Sequence, residues 1–138
     1  MSDKASTWRD LADRCAKATG ADRELDSAIA CAAFGWTRET VEIMGIPDVA
    51  VLVDTDGNGP QIEGEYTGSL DCIVSLIERE LPGQSWNVGW SNPEILGLDI
   101  PGFANCGDDD YGTSEAATPT LALCAAFCTA MAAKSEAE

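Results

Sequence analysis

The sequence predicts an α+β protein: a three-layer αβα sandwich in which helices cover both faces of a small, largely antiparallel sheet. Three observations predict it. Helical and strand-like apolar patterns follow one another in the order helices, strand, hairpin, helix, strands, helix. No internal repeat or linker divides the 138 residues, a length that suits one domain with a core of its own. The stretch after Thr118 is apolar on nearly every side and predicts the most buried helix of the domain.

In chain order, Trp8, Leu11, Ala12 and Cys15 recur at the spacing of an amphipathic helix. Thr7 is its expected N-cap, with Asp10 three residues on, and Gly20 its stop. Asp22 caps a second helix that carries Leu25, Ala28, Ile29 and Ala32 on one face and has Gly35 beyond its end. After Thr37 a short helix is expected through "RETVEIM", broken by Gly45 and Pro47. "VAVLV" (49–53) predicts a buried strand, with "QIEGEY" as its hairpin partner. "SLDCIVSLIEREL" (69–81) is the clearest helix, capped by Ser69, striped by Leu70, Ile73, Val74, Ile77 and Leu81, and ended by Pro82 and Gly83. "WNVGW" alternates Trp86, Val88 and Trp90 with small or polar residues, the period of a half-buried strand. A further strand is expected near "EILGLDI" or "GFANC", and 107–115 reads as an exposed loop. Thr118 then caps, and Pro119 opens, the final helix "PTLALCAAFCTAMAA".

Charge is unevenly spread. Residues 1–38 carry six acidic and six basic side chains, whereas 39–133 carry sixteen acidic side chains against Arg79 alone, within a total of −16. Such a field repels nucleic acid and anionic lipid and steers towards cationic surfaces. The expected partner is therefore a protein with a basic surface, with no direct nucleic-acid or membrane binding; solubility alone is the competing explanation. The longest apolar region, 119–133, is shorter than the ~20 residues a bilayer requires. "MSDKASTWRD" has no apolar signal-peptide core, so the expectation is a cytoplasmic protein.

Six cysteines (Cys15, Cys31, Cys72, Cys106, Cys124, Cys128) occur without an export signal, and four lie in apolar helical patterns, so reduced packing thiols are expected. Cys124 and Cys128 share a helix face but supply only two metal ligands, and the chain has no His and no C-x2-C, which argues against zinc. The lack of His also removes Ser-His-Asp, Cys-His and imidazole-base chemistry. A non-enzymatic protein is expected.

The most specific local pattern is "DTDGNGPQIEGE" (54–65). Asp54, Asp56, Asn58, Gly59 and Glu65 match the liganding and turn positions of a calcium loop, and the Pro60 carbonyl would supply a further oxygen. Against calcium stand Gln61 at the position that is normally β-branched, a strand-like entering segment and a poor exiting helix. The expectation is a turn, because Asp, Asn and Gly accept left-handed backbone conformations. Asp108, Asp109 and Asp110, with Glu63, are the candidate contacts for Arg or Lys of a partner. Trp86 and Trp90 are expected in the core, with a ligand-stacking face as the alternative.

"GADRELDSAIACAAFGW", "YTGSLDCIVSLIERELPGQSWNVGW" and "ATPTLALCAAF" together resemble the small bacteriophage and prophage proteins that carry the phage ABA (αβα) sandwich domain. The resemblance spans about residues 20–128. It implies the three-layer architecture and a phage origin, but no catalytic residues. From it and the charge follows the expected function: macromolecular binding through an acidic surface, in the host cytoplasm, with counter-defence as a concrete form. An accessory or decoration protein of the virion is the alternative, and a small-ligand binder the next.

Overall fold

A computed structural model of the protein describes residues 3–89, 102–106 and 114–137. Among them are four helices, α1 (Asp3–Lys17), α2 (Arg23–Phe34), α3 (Leu70–Glu80) and α4 (Pro119–Ala137). The strands are β1 (Thr37–Ile43), β2 (Ile46–Val53), β3 (Trp86–Gly89), β4 (Gly102–Cys106) and β5 (Ser114–Ala116). The fold is α+β. Its described strands form two antiparallel sheets rather than one: a β1–β2 hairpin and a three-stranded sheet in the order β3–β4–β5.

α4 is the element around which the rest is arranged. It makes its most extensive contact with α1 and also touches α3 and all three strands of the larger sheet. Every residue from Leu121 to Cys128 is buried, because a helix with neighbours on all sides has no face for polar residues. The Trp8 ring of α1 meets Phe127 of α4 edge-to-face, with centroids 5.5 Å apart. Small residues allow the close approaches. A Cβ on Gly102 would lie 2.5 Å from backbone atoms of Thr118 and Pro119, so β4 can begin against the N-terminus of α4 only with glycine there.

The caps follow their expected chemistry. Asp22 Oδ1 accepts from the N–H groups of Glu24 and Leu25, and Gly35 closes α2 in the left-handed conformation at φ 74°. Ser69 Oγ accepts from Cys72 N–H, and Thr118 Oγ1 from Leu121 N–H. Thr7, expected as a cap, instead lies inside α1, which begins earlier, at Asp3. Ile73, Ile77 and Leu81 are buried as the α3 stripe requires, joined by Leu76, whereas Leu70 in the first turn is 38% exposed.

Four expectations are corrected. "RETVEIM" is strand, not helix: it pairs with β2 through a two-residue turn at Met44 and Gly45, whose φ values of 51° and 80° are those of a type I′ hairpin. β2 is longer than "VAVLV" and mostly exposed, with only Leu52 and Val53 buried. β1 and not "QIEGEY" is its partner; of the latter, Gln61 alone makes a single bridge, to Leu52. The segment read as an exposed loop over 107–115 ends in strand, because Ser114 and Glu115 belong to β5, where they pair with β4. "GFANC" is β4, and "EILGLDI" lies outside the described residues.

Candidate acidic interface

The 54–65 segment leaves β2 as a turn organised around Asp54. Asp54 Oδ1 accepts the N–H groups of Asp56 and Asn58, each at 2.9 Å, and Oδ2 faces Gln61 Nε2 at 3.4 Å. The backbone closes the same loop, with Asp54 N–H donating to the Asn58 carbonyl and Gly57 N–H to the Asp54 carbonyl. The Asp54 carboxylate thus fastens its own loop, as Asx-turns do. Among the described residues, no three His, Cys, Asp or Glu side chains stand together so as to hold a metal ion. Asp56 and Glu65 are exposed, and the Glu65 carbonyl, not its carboxylate, is used locally, accepting from Gly68 and Ser69 N–H.

Two outcomes of Asp54→Ala separate a turn from an ion site. Millimolar calcium is expected to leave the melting temperature of the native protein unchanged, and the substitution to cost about 1 kcal/mol through the lost turn bonds, with or without calcium. A calorimetric calcium site tighter than ~10 μM that disappears in Asp54→Ala would contradict this.

Glu63 does not stand free. Arg23 Nη2 donates to Glu63 Oε1, and Arg23 Nη1 lies 3.3 Å from Asp26 Oδ2. Asp26 is 1% exposed, and its other oxygen accepts both the N–H and the hydroxyl of Thr67 at 2.8 Å. The Thr67 hydroxyl oxygen in turn accepts Asp22 N–H at 2.8 Å. The network Glu63–Arg23–Asp26–Thr67–Asp22 therefore binds the start of α2 to the turn preceding α3. Every polar group it removes from water has a partner, which is the condition for burying a carboxylate.

Solvent-facing carboxylates stand on the helices and β5 (Asp10, Glu24, Asp71, Glu78, Glu115) and crowd on the hairpin and the turn. Glu39, Glu42, Asp48, Asp56 and Glu65 are exposed and in no ion pair among the described residues. Several of the chain's cations are already engaged: Arg9 with Glu136, Lys17 with Asp13, Arg23 as above, and Arg79 with Glu80 while lying over the Phe34 ring. Asp108, Asp109 and Asp110 fall outside the described residues, as does Trp90. Trp86 and Val88 of β3 are half-buried and pack against the core cluster.

The six cysteines are free, and Cys15, Cys106, Cys124 and Cys128 are buried. The fold brings Cys15 of α1 to the Cys124–Cys128 face of α4, a meeting that spacing within α4 did not reveal. Hydrogen bonds from the Cys124 and Cys128 thiols hold the Cys15 sulfur below the ordinary thiol range, at about 5. Cys124 is pushed well above that range by its bond to Cys15 and by burial, and Cys128 by burial and then Cys15. The single proton of Cys124 is shared between the Cys15 sulfur and the Tyr66 carbonyl, 3.0 Å away. Cys106, Cys124 and Cys128, raised by burial, stay protonated and pack as small, largely apolar groups.

Two open clefts accompany these surfaces. One, of about 450 Å³, lies between α1 and α4 and is lined by Arg9, Asp13, Glu115, Thr129 and Glu136. The other, of about 240 Å³, lies between β2 and residues 60–63, with Arg38 and Glu63 on its wall. Among the described residues no helix is long and apolar enough to cross a membrane. Comparison with protein-family models, with curated proteins and with solved structures gave no match.

Proposed function

We propose that this chain is a non-enzymatic bacteriophage protein that binds a basic protein surface through its exposed carboxylates. Its concrete form is counter-defence, in which the acidic face occupies the nucleic-acid site of a host nuclease or CRISPR complex. The observation that carries this reading is a group of solvent-facing carboxylates on the hairpin and turn that enter no ion pair among the described residues, Glu39, Glu42, Asp48, Asp56 and Glu65, in a molecule of net charge −16. Unpaired exposed charge acts at long range and steers association. The phage origin rests on the resemblance of the three quoted segments. With it goes the three-layer arrangement, α4 covering one face of β3–β4–β5 and a helical layer the other.

The test is capture of partners from host lysate followed by binding kinetics at several salt concentrations. Changing Asp108, Asp109 and Asp110 to Asn is expected to slow association and flatten its salt dependence while leaving the fold intact, because steering decays over a Debye length of about 8 Å at physiological salt. Binding that strengthens as salt rises would reject the acidic interface. The exposed Ile43, Met44, Ile46 and Ile62 favour a second reading, a virion accessory protein whose contacts are apolar. Abundant copies in purified particles, read by mass spectrometry, would favour it over host takeover.

A further inference from the structure

The β1–β2 hairpin stands apart from the core. β1 and β2 pair with each other and make no comparably extensive contact with any other described element. A two-stranded ribbon alone is marginally stable in water, and each of its outer edges presents backbone donors and acceptors. The two edges are not equivalent. Along β2, Pro47 has no N–H, Asp48 sits at φ 57° where the register shifts, and Gln61 covers Leu52. These are the devices that close an edge to pairing. β1 has no proline, and the extra residue at the shift belongs to β2, since Glu42 alone lies between Val41 and Ile43 opposite the two residues Pro47 and Asp48. Its outer edge is regular from Thr37 to Ile43 and unpaired among the described residues.

The sequence of that edge, "TRETVEI", is complementary to itself. In an antiparallel pairing of two β1 strands about a two-fold axis at Thr40, Arg38 of each copy stands directly opposite Glu42 of the other. Thr40 meets Thr40, and Glu39 meets Val41, so no like charges are directly opposed. Shifting the axis to Val41 removes both ion pairs, and shifting it to Glu39 sets Glu39 against Glu39. Arg38 and Glu42 are both exposed, on the same face of β1, and neither has an ion-pair partner within the described chain. Glu63, the carboxylate that shares a cleft wall with Arg38, is already held by Arg23.

We propose that a second copy of this chain occupies the β1 edge, joining two hairpins into a four-stranded antiparallel sheet centred on Thr40 and held by two reciprocal Arg38–Glu42 pairs. A two-fold contact uses the same patch on both copies, which is what a self-complementary strand supplies. The dimer would carry the acidic surfaces of both copies on one particle, but its formation does not depend on the binding function proposed above.

The test is sedimentation equilibrium of the full chain at 150 mM salt, where repulsion between two acidic chains is screened beyond ~8 Å but pairs in contact are not. The native protein is expected to be a dimer. Arg38→Glu and Glu42→Arg, each placing like charges opposite one another twice, should each weaken it about tenfold or more. The double variant carrying both changes reverses both charges and should restore dimerisation to within about threefold of native. Circular dichroism on each variant is expected to show that the main core cluster, to which no β1 or β2 residue belongs, remains folded. A native protein that stays monomeric at ~100 μM would overturn the proposal, the charged edge then being only a guard against pairing. So would single variants that dimerise as well as the native chain, or a double variant that stays as weak as the singles, since either result places the contact elsewhere.

Discussion

Replacing Asp26 with alanine is expected to cost about 3–5 kcal/mol of folding stability. The carboxylate is 1% exposed and receives two bonds from Thr67, itself 2% exposed, so its removal strands a buried N–H and leaves the hydroxyl only its longer bond to the Asp22 carbonyl, at 3.2 Å. Arg23 contributes little to the loss, because it is more than half exposed and keeps Glu63. Asp26→Asn retains an acceptor for Thr67 and should lose about half as much, and Thr67→Val about 1–3 kcal/mol. Urea unfolding of the three variants measures this order. An Asp26→Ala protein within 1 kcal/mol of native would mean that water or a local shift replaces the carboxylate, and the network would lose its structural role.

Phe127→Ala should be comparably damaging, at about 3–5 kcal/mol. The ring is fully buried on the central helix and supports Trp8 edge-to-face, so truncation leaves a cavity at the α1–α4 contact. Tightly packed interiors close such cavities only in part. Met44→Ala is the matched control: at 96% exposure on the hairpin turn, it should stay within about 0.5 kcal/mol of native. Equal effects in the two variants, by thermal or urea unfolding, would refute the assignment of α4 as the centre of the core.

What could be read from the chain is what short-range physics decides. Asp22, Gly35, Ser69 and Thr118 announce helix ends because each satisfies a backbone group within a few residues of itself. The nearly unbroken apolar run of α4 announces burial for the same local reason. The hairpin was missed because its turn bears Met44, where a type I′ turn favours Asn or Asp, and because β1 becomes a strand only by pairing with β2. The site was less legible still. Asp26 meets Thr67 across 41 positions, and Glu63 meets Arg23 across 40, distances over which no periodicity carries information. The 54–65 pattern could be read either as ion ligands or as a turn, and the Asp54 side chain takes up the donors of its own loop.

The place of α4 in chain order has a consequence for biogenesis. The helix that α1, α3 and the β3–β4–β5 sheet all pack against is synthesised after every one of them. While residues 3–116 emerge from the ribosome, the apolar stripe of α1 and the inner face of that sheet lack the helix that gives them their most extensive cover. Folding must then wait until Pro119–Ala137 has left the exit tunnel, and the first helix must be joined to the last, a long-range closure of the kind that slows folding. During that interval Trp8, Leu11 and Cys15 are open to chaperones. The exit of α4 from the tunnel, rather than the appearance of each earlier element, sets the moment at which the native core can form.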